Sequence, residues 1–167
     1  TELGAYLSVE LRVSGERPLS DARHAALQNY CAARLRRDGW TVETETSFNH
    51  YGDRGRVDVL AFHPTLRILL VIEIKTRIQD VQDLLGRLDV KKRVAPMLAR
   101  DRGWEVAAIV PALIVREDRT SRRRVTEHTA LFAVHSLRAR AARAWLRHPL
   151  LPAPRGILLF EEPARRI

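Results

Sequence analysis

Apolar and polar positions alternate in several short windows of this chain and recur at three- and four-residue spacing in others, so the pattern predicts both strands and helices. Residues 8–13 alternate as a short strand that Ser14 and Gly15 end. Ala25, Leu27, Tyr30, Cys31 and Leu35 then recur at helical spacing, with Ser20 or Asp21 placed to cap that helix and Gly39 to stop it. Residues 40–48 alternate as a strand and are followed by a stretch, 49–55, rich in turn formers. A second strand spans 56–62, His63-Pro64-Thr65 makes a turn, and a third strand, 67–75, is apolar and β-branched. Residues 78–102 read as a long helix whose buried stripe is Val81, Leu84, Leu85, Leu88, Val94 and Leu98, and Pro96 is expected to kink or divide it. Residues 105–115 are apolar on both faces, as in a central strand. A basic helical turn over 120–128, a short strand over 130–134, an Arg/Ala helix over 136–147 and a final strand over 156–160 follow, with a frayed tail from 161 to 167. This order predicts an α/β fold, a mixed sheet with helices on both faces.

At 167 residues, 46% hydrophobic and 29% charged, the chain fits one globular domain with a sizeable core. The longest apolar run, residues 68–72, stops at Glu73, far short of a membrane span, so no membrane partner is expected. One cysteine, Cys31, excludes an internal disulfide and a multi-cysteine zinc site and fits the cytoplasm. Its place among Ala and Leu marks it as a buried, inert thiol. Thr1 stands where an initiator Met would, and no secretory signal follows, which we read as a domain excised from a longer protein. The net charge of +9 favours a polyanionic partner. The basic residues are 26 Arg against 3 Lys, a bias that base composition also produces, so the excess of charge is the stronger signal. It concentrates over 116–147, where nine Arg meet only Glu117, Asp118 and Glu127.

The candidate chemistry lies in the second and third strands. Asp58 interrupts one apolar strand, and Glu73 and Lys75 interrupt an even more apolar one. On the third strand Leu69, Val71, Glu73 and Lys75 share a face. A Glu73–Lys75 ion pair is the plain structural explanation of two such charges. The turn between the strands, however, lets Asp58 and Glu73 converge at one end of the sheet. Two convergent carboxylates suit Mg²⁺, with the backbone carbonyl of Ile74 and waters completing an octahedron and Mn²⁺ as a substitute. The Lys75 ammonium beside them would acidify a bound water or stabilise a phosphorane, the chemistry of phosphodiester hydrolysis.

Asp58, fourteen intervening residues and Glu73-Ile74-Lys75 resemble the D…(D/E)-x-K signature of the PD-(D/E)xK nucleases, with Val57 where many members carry Pro. The flanking order of helix, hairpin, E-x-K strand, helix and strand resembles theirs over about 19–115. The resemblance implies a restriction-endonuclease-like fold and a metal-dependent nuclease. A closer resemblance runs through Asp21-x-x-His24, Gly39-Trp40-x-Val42, Glu45-x-x-Phe48, Tyr51-Gly-Asp-Arg-Gly-Arg-Val-Asp58 and Val71-Ile-Glu-Ile-Lys-Thr76. It continues through Leu88-Asp89-x-Lys91, Arg93-x-Ala95-Pro96, Arg122-Arg-Arg-Val125 and Ala144-Trp-Leu-Arg147. These segments are similar to the nuclease-like domain joined to helix-turn-helix regulators in bacteria, which implies an upstream DNA-binding domain. On that basis 1–167 is one nuclease-like domain, with a core over about 19–115 and a basic extension over about 116–160.

The resemblance also implies a further metal-binding acid, with Glu45 first, Glu43 on the same face second and Asp21 third; a plain helix cap is the better account of Asp21. His24 is read as structural. Gln82, ahead of Gln79, is the candidate to assist a bound water. Arg54 and Arg56, Lys91 and Lys92, and Arg122, Arg123 and Arg124 are the candidates to meet a nucleic acid, DNA first, although Lys91 and Lys92 also read as solvent-facing helix residues. A homodimer is a state the resemblance admits. The competing expectation is a catalytically silent module of the same fold that holds DNA or a ligand beside a regulator's DNA-binding domain.

Overall fold

The computed structural model describes residues 16–163, so the strand expected over 8–13 and the end of the tail lie outside the described residues. In chain order the elements are α1 (Glu16–Arg37), β1 (Thr41–His50), β2 (Asp53–His63), β3 (Ile68–Lys75) and α2 (Val81–Asp101). They continue as β4 (Ala108–Arg116), α3 (Arg119–Glu127), β5 (Leu137–Arg138), α4 (Ala139–Arg147) and β6 (Ile157–Glu161). The fold is α/β, built on one six-stranded sheet of order β1-β2-β3-β4-β6-β5. β1, β2 and β3 form an antiparallel meander, whereas β3, β4, β6 and β5 run parallel.

Both faces of the sheet are covered, which explains why β3 is apolar without alternation: Ile68 to Ile72 and Ile74 are all fully buried. On one face α2 and α3 pack over Leu60, Phe62, Leu69, Val71, Leu113 and Leu158. On the other, α1 and α4 pack over Val59, Ala61, Leu70, Ile72, Ile114 and Leu159. Each such side chain contributes about 1.5–3 kcal/mol by leaving water, so the two layers clamp the strands that carry Asp58 and Glu73.

The helices and strands fall near their expected places, with five informative departures. The turn-rich stretch is a hairpin tip of two residues, Tyr51 and Gly52, both at positive φ (47° and 86°), and the strands pair right up to His50 and Asp53. Pro96 does not divide α2, which continues to Asp101. It lies on the exposed side of the helix, where the carbonyl its missing N–H would have paired can turn toward solvent. Residues 130–134 are not a strand but consecutive turns, closed by Leu131 N–H to His128 and Ala133 N–H to Ala130. They insert Phe132, fully buried, into the α2-side core. Ser20 and Asp21 lie inside α1 and so cap nothing, because the helix begins at Glu16. The basic segment supplies α3, α4, β5 and β6, and β6 joins the sheet directly beside β4. Glu161, expected in the tail, is the last residue of β6 and is buried against Arg143 (2.7 Å).

Candidate functional site

β1 and β2 keep one register along their length, with Thr44 opposite Val59 and Thr46 opposite Val57. Between these pairs the faces of both strands exchange. Val57 packs toward α2 and Val59 toward α1, although side chains two apart on a regular strand share a face. The exchange coincides with Glu45, whose backbone is left-handed (φ 57°), a conformation a non-glycine residue adopts only where its surroundings impose it. Glu43 and Glu45 therefore do not share a face. Glu43 is held by Arg102 at the end of α2 (2.8 Å) and is removed from the site, while Glu45 sits beside Asp58.

Asp58 occupies the point where β2 parts from β3. The last paired residues on this side are Val59 and Ile72, and beyond them the Asp58 carboxylate accepts the Ile74 N–H at 2.7 Å. A side chain thus takes over where the ladder ends, and the Ile74 carbonyl faces the same side of β3 as its N–H. Asp58 Oδ1 lies 3.8 Å from His24 Nε2 on α1. Ser20, one turn earlier, reaches the Thr76 hydroxyl at the end of β3 (3.5 Å), which sets the start of α1 across this end of the sheet. His24, Glu45 and Asp58 each present a donor atom, all within 4.8 Å of one another. Burial pushes the Asp58 carboxyl above its ordinary range and the neighbouring Glu73 charge pushes it further; the Ile74 N–H, Lys91 and His24 act the other way.

Glu73 is 2% exposed, and both its oxygens are occupied. Lys75 Nζ lies 2.9 Å from Oε1, and Lys91 of α2 donates to Oε2. Lys91 is therefore not the solvent-facing residue its place on a helix suggested, since it is buried against Glu73. Its position carried a signal: with Leu84, Leu88, Ala95 and Leu98 it completes the three- and four-residue stripe of α2. Two lysines from different elements converge on one buried carboxylate, an arrangement that the E-x-K pattern alone does not contain.

Beside Glu73 opens a cleft of about 430 Å³ lined by Arg54, Gly55, Arg56, Arg87 and Lys91, with Phe48 and Val90 as its apolar wall. Arg54, Arg56 and Lys91 are thus brought together next to Glu73, and Arg87, which sequence reasoning passed over, joins them. Arg56 also holds Glu45, which links the cleft to the Asp58 side.

The remaining candidates are dispersed. Gln82 and Gln79 are exposed around the start of α2, and Asp21 is exposed on α1. Lys92 points away from the cleft, lining a separate hollow with Asp89 and His135. Three of the four arginines of α3 make bonds within the fold. Arg122 makes a forked pair with Glu117 (2.5 and 2.6 Å) and lies over the Phe160 ring, and Arg123 pairs with Glu127 at 3.5 Å. Arg124 donates to the Ile78 and Gln79 carbonyls, while Ser121 accepts the Ile78 N–H. Together these bonds brace the chain as it leaves the E-x-K strand. No helix among the described residues is long and apolar enough to cross a membrane. Neither a protein-family model nor a curated protein sequence matches this chain.

Proposed function

We propose that this domain is a divalent-metal-dependent nuclease that hydrolyses phosphodiester bonds, with DNA as its substrate and Asp58, Glu73 and Lys75 at its centre. The observation that carries this reading is the meeting of the half-buried Asp58, the buried Glu73 and Lys75 at the end where β2 and β3 part. Isolated charges do not enter two well-packed strands without cost, and here they enter together. The donor set fits a hard cation: Asp58 and Glu73 would hold Mg²⁺ or Mn²⁺, with the Ile74 carbonyl and Glu45 nearby. When bound, such an ion supplies Lewis acidity and a more acidic water. Lys75, a third exposed and fixed by Glu73, places a positive charge where the phosphorane develops. Arg54 and Arg56 hold the phosphate backbone in the cleft. An upstream helix-turn-helix domain and a homodimer belong to the same proposal, as does a cytoplasmic location.

One observation favours a second reading, a silent binding module of a regulator. Both oxygens of Glu73 are already neutralised by lysines, as in a site built for charge balance. The two readings part in a single assay on end-labelled duplex DNA. A nuclease binds the duplex in Ca²⁺ and cuts it in Mg²⁺ or Mn²⁺, with Asp58→Asn retaining binding and losing cleavage. A binding module shifts the duplex equally in every metal and leaves it intact.

A further inference from the structure

Asp58 stands between two groups of donors. Glu73 and its lysines lie on the α2 side, whereas His24 and Glu45 lie toward α1. The second group comes from three separate elements: α1 supplies His24, β1 supplies Glu45 and β2 supplies Asp58. In a six-coordinate site with bonds of about 2.1 Å, neighbouring ligands stand about 3.0 Å apart and opposite ones about 4.2 Å. The 3.8 Å between His24 Nε2 and Asp58 Oδ1 falls within that span. Glu45 gives Oε2 to Arg56, and its other oxygen makes no hydrogen bond among the described residues. Glu73, by contrast, has no oxygen without a lysine. A cation drawn to Asp58 thus meets less competition on the α1 side than on the Glu73 side.

We infer that His24, Glu45 and Asp58 form a cation site of one imidazole and two carboxylates that takes a transition-metal ion, Mn²⁺ in the first instance, in preference to Mg²⁺. The preference follows from the nitrogen donor. Mg²⁺ is held by oxygen ligands and sheds its waters reluctantly, whereas imidazole suits the first-row transition ions. His24 thereby changes from a structural residue to a ligand that sets the identity of the metal. The inference rests on the proposed nuclease reading through Asp58 and Glu45, the residues both would use, and it requires no cleavage.

The test titrates the full chain with MnCl₂ alone and with MgCl₂ alone, without nucleic acid. Free Mn²⁺ is followed by its EPR signal, Mg²⁺ affinity is taken from calorimetry, and the bound ion is examined by pulsed EPR for coupling to ¹⁴N. His24 is partly exposed on a helix, so His24→Ala retains the fold. The expected result is one Mn²⁺ site with nitrogen coupling. His24→Ala loses that coupling and weakens Mn²⁺ by about tenfold or more, while Mg²⁺ affinity moves by less than about twofold. Asp58→Asn loses the Mn²⁺ site. Wild-type Mn²⁺ affinity in His24→Ala, an absence of nitrogen coupling, or no Mn²⁺ binding by the wild type each overturns the inference. A His24→Ala protein that still holds Mn²⁺ through Asp58 leaves the nuclease reading standing, and failure to cut DNA leaves the Mn²⁺ result untouched.

Discussion

Lys91 offers the sharpest test of how the two buried charges are balanced. Lys91→Met keeps most of the side-chain volume and removes the ammonium from Glu73 Oε2. Breaking a buried pair by removing one partner costs about 3–5 kcal/mol when the remaining charge is left alone. Glu73 is not left alone, because Lys75 still lies 2.9 Å from its other oxygen, but Lys75 is a third exposed and its attraction is partly screened. The expected loss is therefore about 2–3 kcal/mol, at or just below the lower end of that range. In a chain of 167 residues this lowers Tm by roughly 4–12 °C. Glu73→Gln alone should cost less, about 1–2 kcal/mol, because the flexible Lys91 stem lets its ammonium swing into the adjoining cleft. The double variant Glu73→Gln/Lys91→Met should recover most of the loss, since no unpaired charge remains. Urea unfolding at neutral pH, read by circular dichroism for all four proteins, gives the double-mutant cycle. A Lys91→Met protein within about 0.5 kcal/mol of the wild type, or strictly additive losses, would refute the view that Lys91 neutralises a buried Glu73.

Three further outcomes follow from the same geometry. Asp58→Asn should raise the Tm of the metal-free protein by a few degrees, because the carboxylate is destabilised by burial and by Glu73 while Asn still accepts the Ile74 N–H; a lower Tm in thermal unfolding with EDTA contradicts this. Gly156→Ala should destabilise by about 2 kcal/mol or more, because its Cβ would lie 2.9 Å from the Val134 carbonyl oxygen and 3.2 Å from His135 Cα, both backbone atoms; unchanged urea unfolding contradicts it. His135 is buried with neither ring nitrogen hydrogen-bonded, and burial, helped by Arg138 and Lys92, lowers its pKa from 6.5 to about 4. The unfolded chain then binds the proton that the folded chain refuses, so stability is full above pH 6.5 and falls by up to ~3 kcal/mol as pH drops to 4. His135→Leu should flatten that part of the stability–pH curve, and an unchanged slope in the variant contradicts the assignment.

The layered fold was legible because its signals are local. An apolar strand without alternation can only be covered on both sides, and the stripe Val81, Leu84, Leu88, Val94 and Leu98 specifies a helix that lies against it. The E-x-K strand and the Asp58 strand were legible for the same reason, since charges stand out against Leu, Val and Ile. Three features were not. The left-handed backbone at Glu45 leaves no mark in the alternation, so Glu43 and Glu45 read as sharing a face that the exchange of the strands in fact separates. Leu131, Phe132, Ala133 and Val134 have the composition of a strand, but bonds three residues apart close them into turns, and only tertiary packing calls for Phe132 at that spot. Lys91 was misplaced because a charged residue on a long helix usually faces water; its register with Leu88 and Ala95 outweighed that tendency, and Glu73 was there to meet it. The arginines of α3 show the converse. Their density suggested an external polyanion; Arg122, Arg123 and Arg124 each also find an acid or a carbonyl of the fold itself.

The most direct measurement on the central claim is the conversion of supercoiled plasmid to nicked and linear forms by the purified protein in Mg²⁺ and in Mn²⁺. EDTA and Lys75→Ala are run alongside. The account predicts metal-dependent cutting that disappears in EDTA and is lost with Lys75→Ala, the residue to which the proposed mechanism gives the charge beside the phosphate. Cutting that survives Lys75→Ala at near wild-type rate, or intact plasmid in both metals, would contradict it.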